Sequence, residues 1–173
     1  MEKKILVVGI EEADALVRMV LKGNKKYLPK TTFVKLPDFS TVKTLKTLKE
    51  HQQTFSDKFA SVLNKKTMLV VAGSLVSPSG CGLAPVFTRD VLNAFRPDLI
   101  ILLESNFRDK VVMGGYGLIK RKIDITHLRR QQDLNRITAA MLFAPIKIVP
   151  FQKANLKKAL RELKTIIMDV VKD

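Results

Sequence analysis

Cysteine is almost absent from this chain. Cys81 stands alone, which excludes an internal disulfide and any cysteine-built zinc cluster, and it reads as a small loop residue. Tryptophan is missing and aromatics make up only 6% of the residues. The nine Phe fall mostly at apolar-face positions and do not interleave with the basic residues as a single-strand stacking platform requires. His51 and His127 have no cysteine or acid at metal spacing, so both read as surface or helix-face residues. No apolar run approaches the roughly 18 residues of a membrane span. Met1-Glu2-Lys3-Lys4-Ile5 enters a strand pattern without a signal-peptide core, so a cytoplasmic chain with no membrane partner is expected. Ser74, Ser77 and Ser79 lack a nucleophile-elbow context, and Gly114-Gly115-Tyr116-Gly117 follows no strand directly, so neither stretch marks a hydrolase or a dinucleotide fingerprint.

Negative charge is the other shortage. Lys and Arg number 31 against 16 Asp and Glu, a net charge of +15, well beyond what solubility asks for. Thermophile-like lysine enrichment normally raises glutamate together with lysine, and here the acids lag. A polyanion is the natural partner, and nucleic acid is the commonest one. From Arg18 to Lys66, twelve basic residues stand against three acidic ones. Lys43, Lys46 and Lys49 recur there every third residue, a spacing that suits either a solvated helix face or a phosphate-backbone surface.

What the chain does have is an alternation of short apolar runs and helical stripes. Ile5–Val8, Thr31–Leu36, Met68–Ala72, Leu99–Leu103 and Ile146–Val149 read as strands. Between them lie a helix on Leu16, Val17, Met19, Val20 and Leu21, and a long helix capped by Ser40 that buries Val42, Leu45, Leu48, Phe55, Phe59 and Val62. Further helices run from about Val86 to Phe95 and from His127 to Ala144. A closing helix runs from Asn155 to Val171, with Leu156, Leu160, Leu163, Ile167 and Val170 inward. The residues 73–85 form a loop too long for a mere connection. This order predicts an α/β class: a single domain over 1–173, built on a doubly wound five-stranded parallel sheet flanked by helices. Ligands of such sheets sit at the carboxyl ends of the strands, where Gly9, the 73–85 loop and Glu104 should converge. After Gly9, however, the window Gly9-Ile10-Glu11-Glu12-Ala13-Asp14-Ala15-Leu16 places Ala15 and Leu16 where a phosphate loop needs Lys and a hydroxyl. Glu11, Glu12 and Asp14 gain from the helix dipole there but repel a triphosphate.

Two stretches of the C-terminal 100 or so residues resemble the archaeal type of adenylate kinase. One is Ser77-Pro78-Ser79-Gly80 through Leu83-Ala84-Pro85, with Arg96-Pro97-Asp98-Leu99 leading to Glu104; the other is Asn135-Arg136-Ile137-Thr138-Ala139-Ala140-Met141 with Ile146-Lys147-Ile148-Val149. The resemblance implies a P-loop kinase-like fold from which the phosphate loop has been lost. It also implies a lid-like segment over about 107–126, reduced to the cations Lys120, Arg121 and Lys122 beside a flap at Gly114–Gly117. Gly9, Arg121, Asn135 and Arg136 would be what is left of the nucleotide site, and for Asn135 and Arg136 a helix-packing role fits equally. The resemblance favours a homo-oligomer as well.

The expectation is therefore a non-catalytic, adenylate-kinase-like protein that binds RNA or a ribonucleoprotein such as the ribosome. Its phosphate contacts would come from Lys43, Lys46, Lys49, Lys120, Arg121, Lys122, Arg129 and Arg130, and no cofactor is called for. The alternative is a nucleoside monophosphate kinase with an altered phosphate loop, using ATP and magnesium, in which Arg121 and Arg136 neutralise charge. A third reading is a structural or regulatory subunit that never touches nucleic acid.

Overall fold

A computed structural model of the chain describes residues 2–10, 12–105 and 125–172. Glu11, the Gly114–Gly117 flap and the cations Lys120, Arg121 and Lys122 lie outside them, as does most of the lid-like segment. In chain order the elements are β1 (Lys4–Val8), α1 (Ala13–Gly23), β2 (Thr31–Lys35), α2 (Leu45–Leu63), β3 (Met68–Gly73), β4 (Val76–Ser79) and β5 (Gly82–Pro85). There follow α3 (Arg89–Ala94), β6 (Leu99–Ser105), α4 (Ile125–Ala140), β7 (Ile146–Phe151) and α5 (Leu156–Lys172).

Five strands make one parallel sheet in the order β2-β3-β1-β6-β7. The central strands are apolar at successive positions because both faces are covered, and Ile5, Leu6, Val7 and Val8 are all fully buried. Alternate side chains divide between two cores. Ile5, Val7, Val70, Ala72, Ile101, Leu103, Val149 and Phe151 pack under α1 and α5. Leu6, Val8, Leu69, Val71, Ile100 and Leu102 pack under α2, α3 and α4. The architecture is thus α/β with helices on both faces of a five-stranded parallel sheet, compatible with a P-loop-like fold.

Several local expectations change. The 73–85 stretch is no open loop: β4 and β5 pair antiparallel, Ser77 against Ala84 and Ser79 against Gly82. Helix α2 starts at Leu45 under a Thr44 cap, whose side chain accepts from the Thr47 N–H. Ser40 belongs to a turn closed by Asp38, which accepts from the Ser40 N–H at 2.9 Å while Phe39 sinks into the core. Helix α3 is shorter than its apolar pattern because Val86 and Phe87 are buried ahead of it, with the Val86 N–H bonded to the Leu75 carbonyl. Helix α4 ends at Ala140, and Phe143 then takes a left-handed φ of 53°. Three stripe residues face outward. Met19 sits about a third of a turn from the buried centre of α1, while Leu45 and Leu156 occupy first turns that start beyond the carboxyl edge of the sheet.

Candidate functional site

The connection leaving β1 runs under one face of the sheet, while those leaving its neighbours β3 and β6 run over the other, so the carboxyl end of β1 is the topological switch point. Val8 registers with Gly73 on one side and Leu102 on the other, which brings the three expected stretches together. Gly9 has φ 124°, and a Cβ there would stand 2.1 Å from the Leu103 carbonyl oxygen. Only glycine fits so close an approach. From Gly9 the chain turns tightly into α1. Ile10 is turned into the core, and the Ala13 N–H donates to the Ile10 carbonyl at 3.2 Å. Asp14, in the first turn, pairs with Lys35 at 3.2 Å. Among the described residues the start of α1 carries Glu12 at its cap and Asp14 in its first turn, a carboxylate pair that repels a phosphate.

Asn135 and Arg136 sit on α4 at the same edge. Asn135 is fully buried and all of its polar atoms are engaged. Its Oδ1 accepts from the Leu75 N–H at 2.7 Å, and its Nδ2 donates to Ser74 Oγ and to the Gln131 carbonyl at 2.9 Å each. Gln131 Nε2 donates to Ser74 Oγ at 3.1 Å and to the Val76 carbonyl at 2.8 Å. Together these bonds pin the base of the β4–β5 hairpin to α4. Arg136 spreads its guanidinium between Glu104 on β6 at 2.8 Å and Asp133 at 2.9 Å. The hydrogen bond to Glu104 raises its pKa, desolvation partly opposes this, and the charges of Glu104 and Asp133 add to the rise. Gln131 and Gln132 carry no motif. Their only signal in sequence is that they share the helical face of Asn135 and Ala139, and Gln132 Oε1 is buried without a hydrogen-bond partner.

Of the expected phosphate contacts, Lys43, Lys46, Lys49, Arg129 and Arg130 are among the described residues, and the segments that carry them are joined by the same hairpin. Its tip presses on the segment before α2: the Gly80 N–H donates to the Val42 carbonyl at 2.7 Å, and Cys81 Sγ approaches the Lys43 carbonyl at 3.5 Å. Lys43 lies on that segment, Lys46 and Lys49 on α2, and Arg129 and Arg130 on α4. All five are exposed, and none takes part in an ion pair among the described residues. Because α2, α4 and the hairpin cover one face of the sheet, these cations share one layer of the molecule. The hairpin holds the two groups in place, at its tip by Lys43 and at its base by Asn135 and Gln131.

Among the described residues no cluster of three or more His, Cys, Asp or Glu could hold a metal, and no helix is long and apolar enough to cross a membrane. The serines Ser74, Ser77 and Ser79 serve backbone geometry: Ser77 Oγ accepts from the buried Phe39 N–H, and Ser79 Oγ from the Cys81 N–H. His51 lies edge-on to Phe39, with ring centroids 6.4 Å apart. Compared with known proteins, the sequence matches no family model and no curated protein.

Proposed function

We propose that this protein is a non-catalytic relative of the adenylate-kinase type that binds RNA, free or within a ribonucleoprotein, through the cationic layer built by α2, the β4–β5 hairpin and α4. The observation that carries this reading is the set Lys43, Lys46, Lys49, Arg129 and Arg130, exposed and outside every ion pair among the described residues, in a chain of net charge +15. Cations left unneutralised on a rigid scaffold repel one another until a polyanion arrives, and they release its counterions when it does. The layer carries few aromatics to stack on bases, so the contact is with phosphates and has little sequence preference.

The switch point supports the non-catalytic part. Phosphoryl transfer rests on positioning and charge neutralisation. Here the turn after β1 offers an acidic helix start, Asn135 is spent on the hairpin, and Arg136 is held by two carboxylates. A salt series of RNA binding tests the reading. Affinity should fall steeply as salt rises, with a log–log slope of about 0.7–0.9 for each phosphate contact, and single-stranded and duplex RNA of unrelated sequence should bind alike. No affinity at low salt would remove the proposal. Calorimetric titration with ATP and magnesium should show no micromolar binding, and ADP turnover by pure protein would restore the kinase.

A further inference from the structure

Cations and aromatic rings, kept apart in the cationic layer, occur together on the other face of the sheet. From Arg18 to Val34 the chain carries five cations, Arg18, Lys22, Lys25, Lys26 and Lys30, and no acid. All five are exposed, and none takes part in an ion pair among the described residues. Arg18 and Lys22 lie one turn apart on the outer side of α1. The helix ends at Gly23, and Asn24 closes it with a buried side chain whose Nδ2 donates to the Val20 carbonyl at 2.7 Å. A 3-10 turn over Lys25–Tyr27 follows, with the Tyr27 N–H bonded to the Asn24 carbonyl at 2.9 Å. Leu28 packs against the core under α1 and α5, so the turn is fixed at both ends. Tyr27 is nevertheless 59% exposed. Lys26 Nζ stands over its ring, 4.8 Å from the centroid, and the Arg18 guanidinium lies over Phe33 of β2 at 4.8 Å.

We infer that Tyr27 and the cations around it form a second nucleic-acid site, which takes a single-stranded segment by stacking an unpaired base on the tyrosine and seating the flanking phosphates on Lys22, Lys25, Lys26 and Lys30. A lysine or two at the end of α1 answers the helix dipole, but the dipole gives no reason to hold a tyrosine ring in water among five cations. An unpaired nucleotide matches both features, with a flat face for the ring and a charge on either side for the ammonium groups. The interior of a duplex has no free base face to offer. An acidic peptide would use the charges and leave the ring idle, and a bilayer calls for a group of apolar side chains where this ring is surrounded by charge. Helix α1 runs from the carboxyl edge of the parallel sheet back to the amino edge, where β2 begins, so the site lies away from the Gly9 switch point. It is also on the face opposite the cationic layer. The inference shares with the proposed function a nucleic-acid partner, but it does not depend on the layer.

Tyrosine fluorescence of the full chain tests the inference, because Tyr27 and Tyr116 are its only tyrosines and it has no tryptophan. In a Tyr116→Phe variant, a short single-stranded RNA should quench the emission as its base stacks on Tyr27. Blunt duplex RNA binds the cationic layer and should leave the emission unchanged, as should an abasic strand of equal length. With Lys43, Lys46 and Lys49 replaced by Ala to weaken the layer, Tyr27→Ala should lower affinity for the single strand roughly 5- to 150-fold, the worth of one stacked base. Tyr27→Phe keeps the ring and should keep the affinity. The quenching needs no change at position 27, so it decides the matter if Tyr27→Ala fails to fold. No quenching by the single strand, equal quenching by duplex or abasic strand, or unchanged affinity in Tyr27→Ala would overturn the site. Quenching by anionic lipid vesicles in place of RNA would overturn it too, and would make the surface a membrane contact. Quenching that persists when the layer shows no RNA binding removes only the layer, and salt-dependent binding to the layer without quenching removes only this site.

Discussion

Asn135 is a fully buried polar side chain that ties α4 to the segment entering the β4–β5 hairpin. One buried amide satisfies the Leu75 N–H, meets the Ser74 hydroxyl and returns to its own helix at Gln131. Asn135→Ala leaves the Leu75 N–H and the hairpin base without that partner in a dry site, so a loss of about 1–3 kcal/mol is expected in chemical denaturation. Arg136 is different because its side chain and those of its partners are partly exposed. Glu104→Gln removes one carboxylate and leaves Asp133, so the expected cost is about 1 kcal/mol or less. Its pH signature follows from the sign of the shift. A cation whose pKa is raised on folding contributes its full stabilisation below its unfolded value, and loses it only as pH rises through the raised one. The difference between wild type and Glu104→Gln should therefore owe no slope to Arg136 around neutral pH, as denaturation curves at several pH values would show.

At the scale of elements, the β4–β5 hairpin governs the geometry of the basic layer. It bridges α4 and the segment before α2, so Lys43, Lys46 and Lys49 keep a definite place relative to Arg129 and Arg130. Replacing Lys43, Lys46 and Lys49 together by Ala should lower the salt slope of RNA binding by about 2–3 and leave the fold intact, since all three are exposed. An unchanged slope with unchanged circular dichroism would move the contact to another part of the surface. The three central strands were legible because buried parallel strands are apolar at nearly every position, while the edge strands Thr31–Lys35 and Ile146–Phe151 mix apolar residues with Thr and Lys and were read from shorter apolar stretches. The hairpin was not. Val76-Ser77-Pro78-Ser79 and Gly82-Leu83-Ala84-Pro85 contain prolines and serines, and only their pairing with each other and the bonds from α4 make them strands. The cap of α2 was not legible: Ser40 was the expected residue, and the burial of Phe39 and Val42 takes it into the preceding turn and leaves the cap to Thr44.

The whole molecule carries a charge that works against compactness. With +15 spread over 173 residues, self-repulsion raises the free energy of the folded state more than that of the expanded one. Adding a salt that does not bind specifically should raise the denaturation midpoint as the screening length falls toward about 10 Å. A midpoint that does not move would mean that folded and unfolded chains feel the repulsion equally. Composition and pattern alone determined the excess of cations, the three central strands, the parallel sheet and the absence of lysine and hydroxyl at phosphate-loop spacing after Gly9, because charge sums over residues and burial on two faces writes itself as an unbroken apolar run. Tertiary structure alone decided which cations share a layer, that Asn135 and Arg136 are spent on internal contacts, and that Leu134, Ile137, Met141 and Phe143 point outward. An apolar helical stripe has the same spacing whether it meets the sheet or the solvent, and only the placement of α4 over β6 and the hairpin separates the two faces.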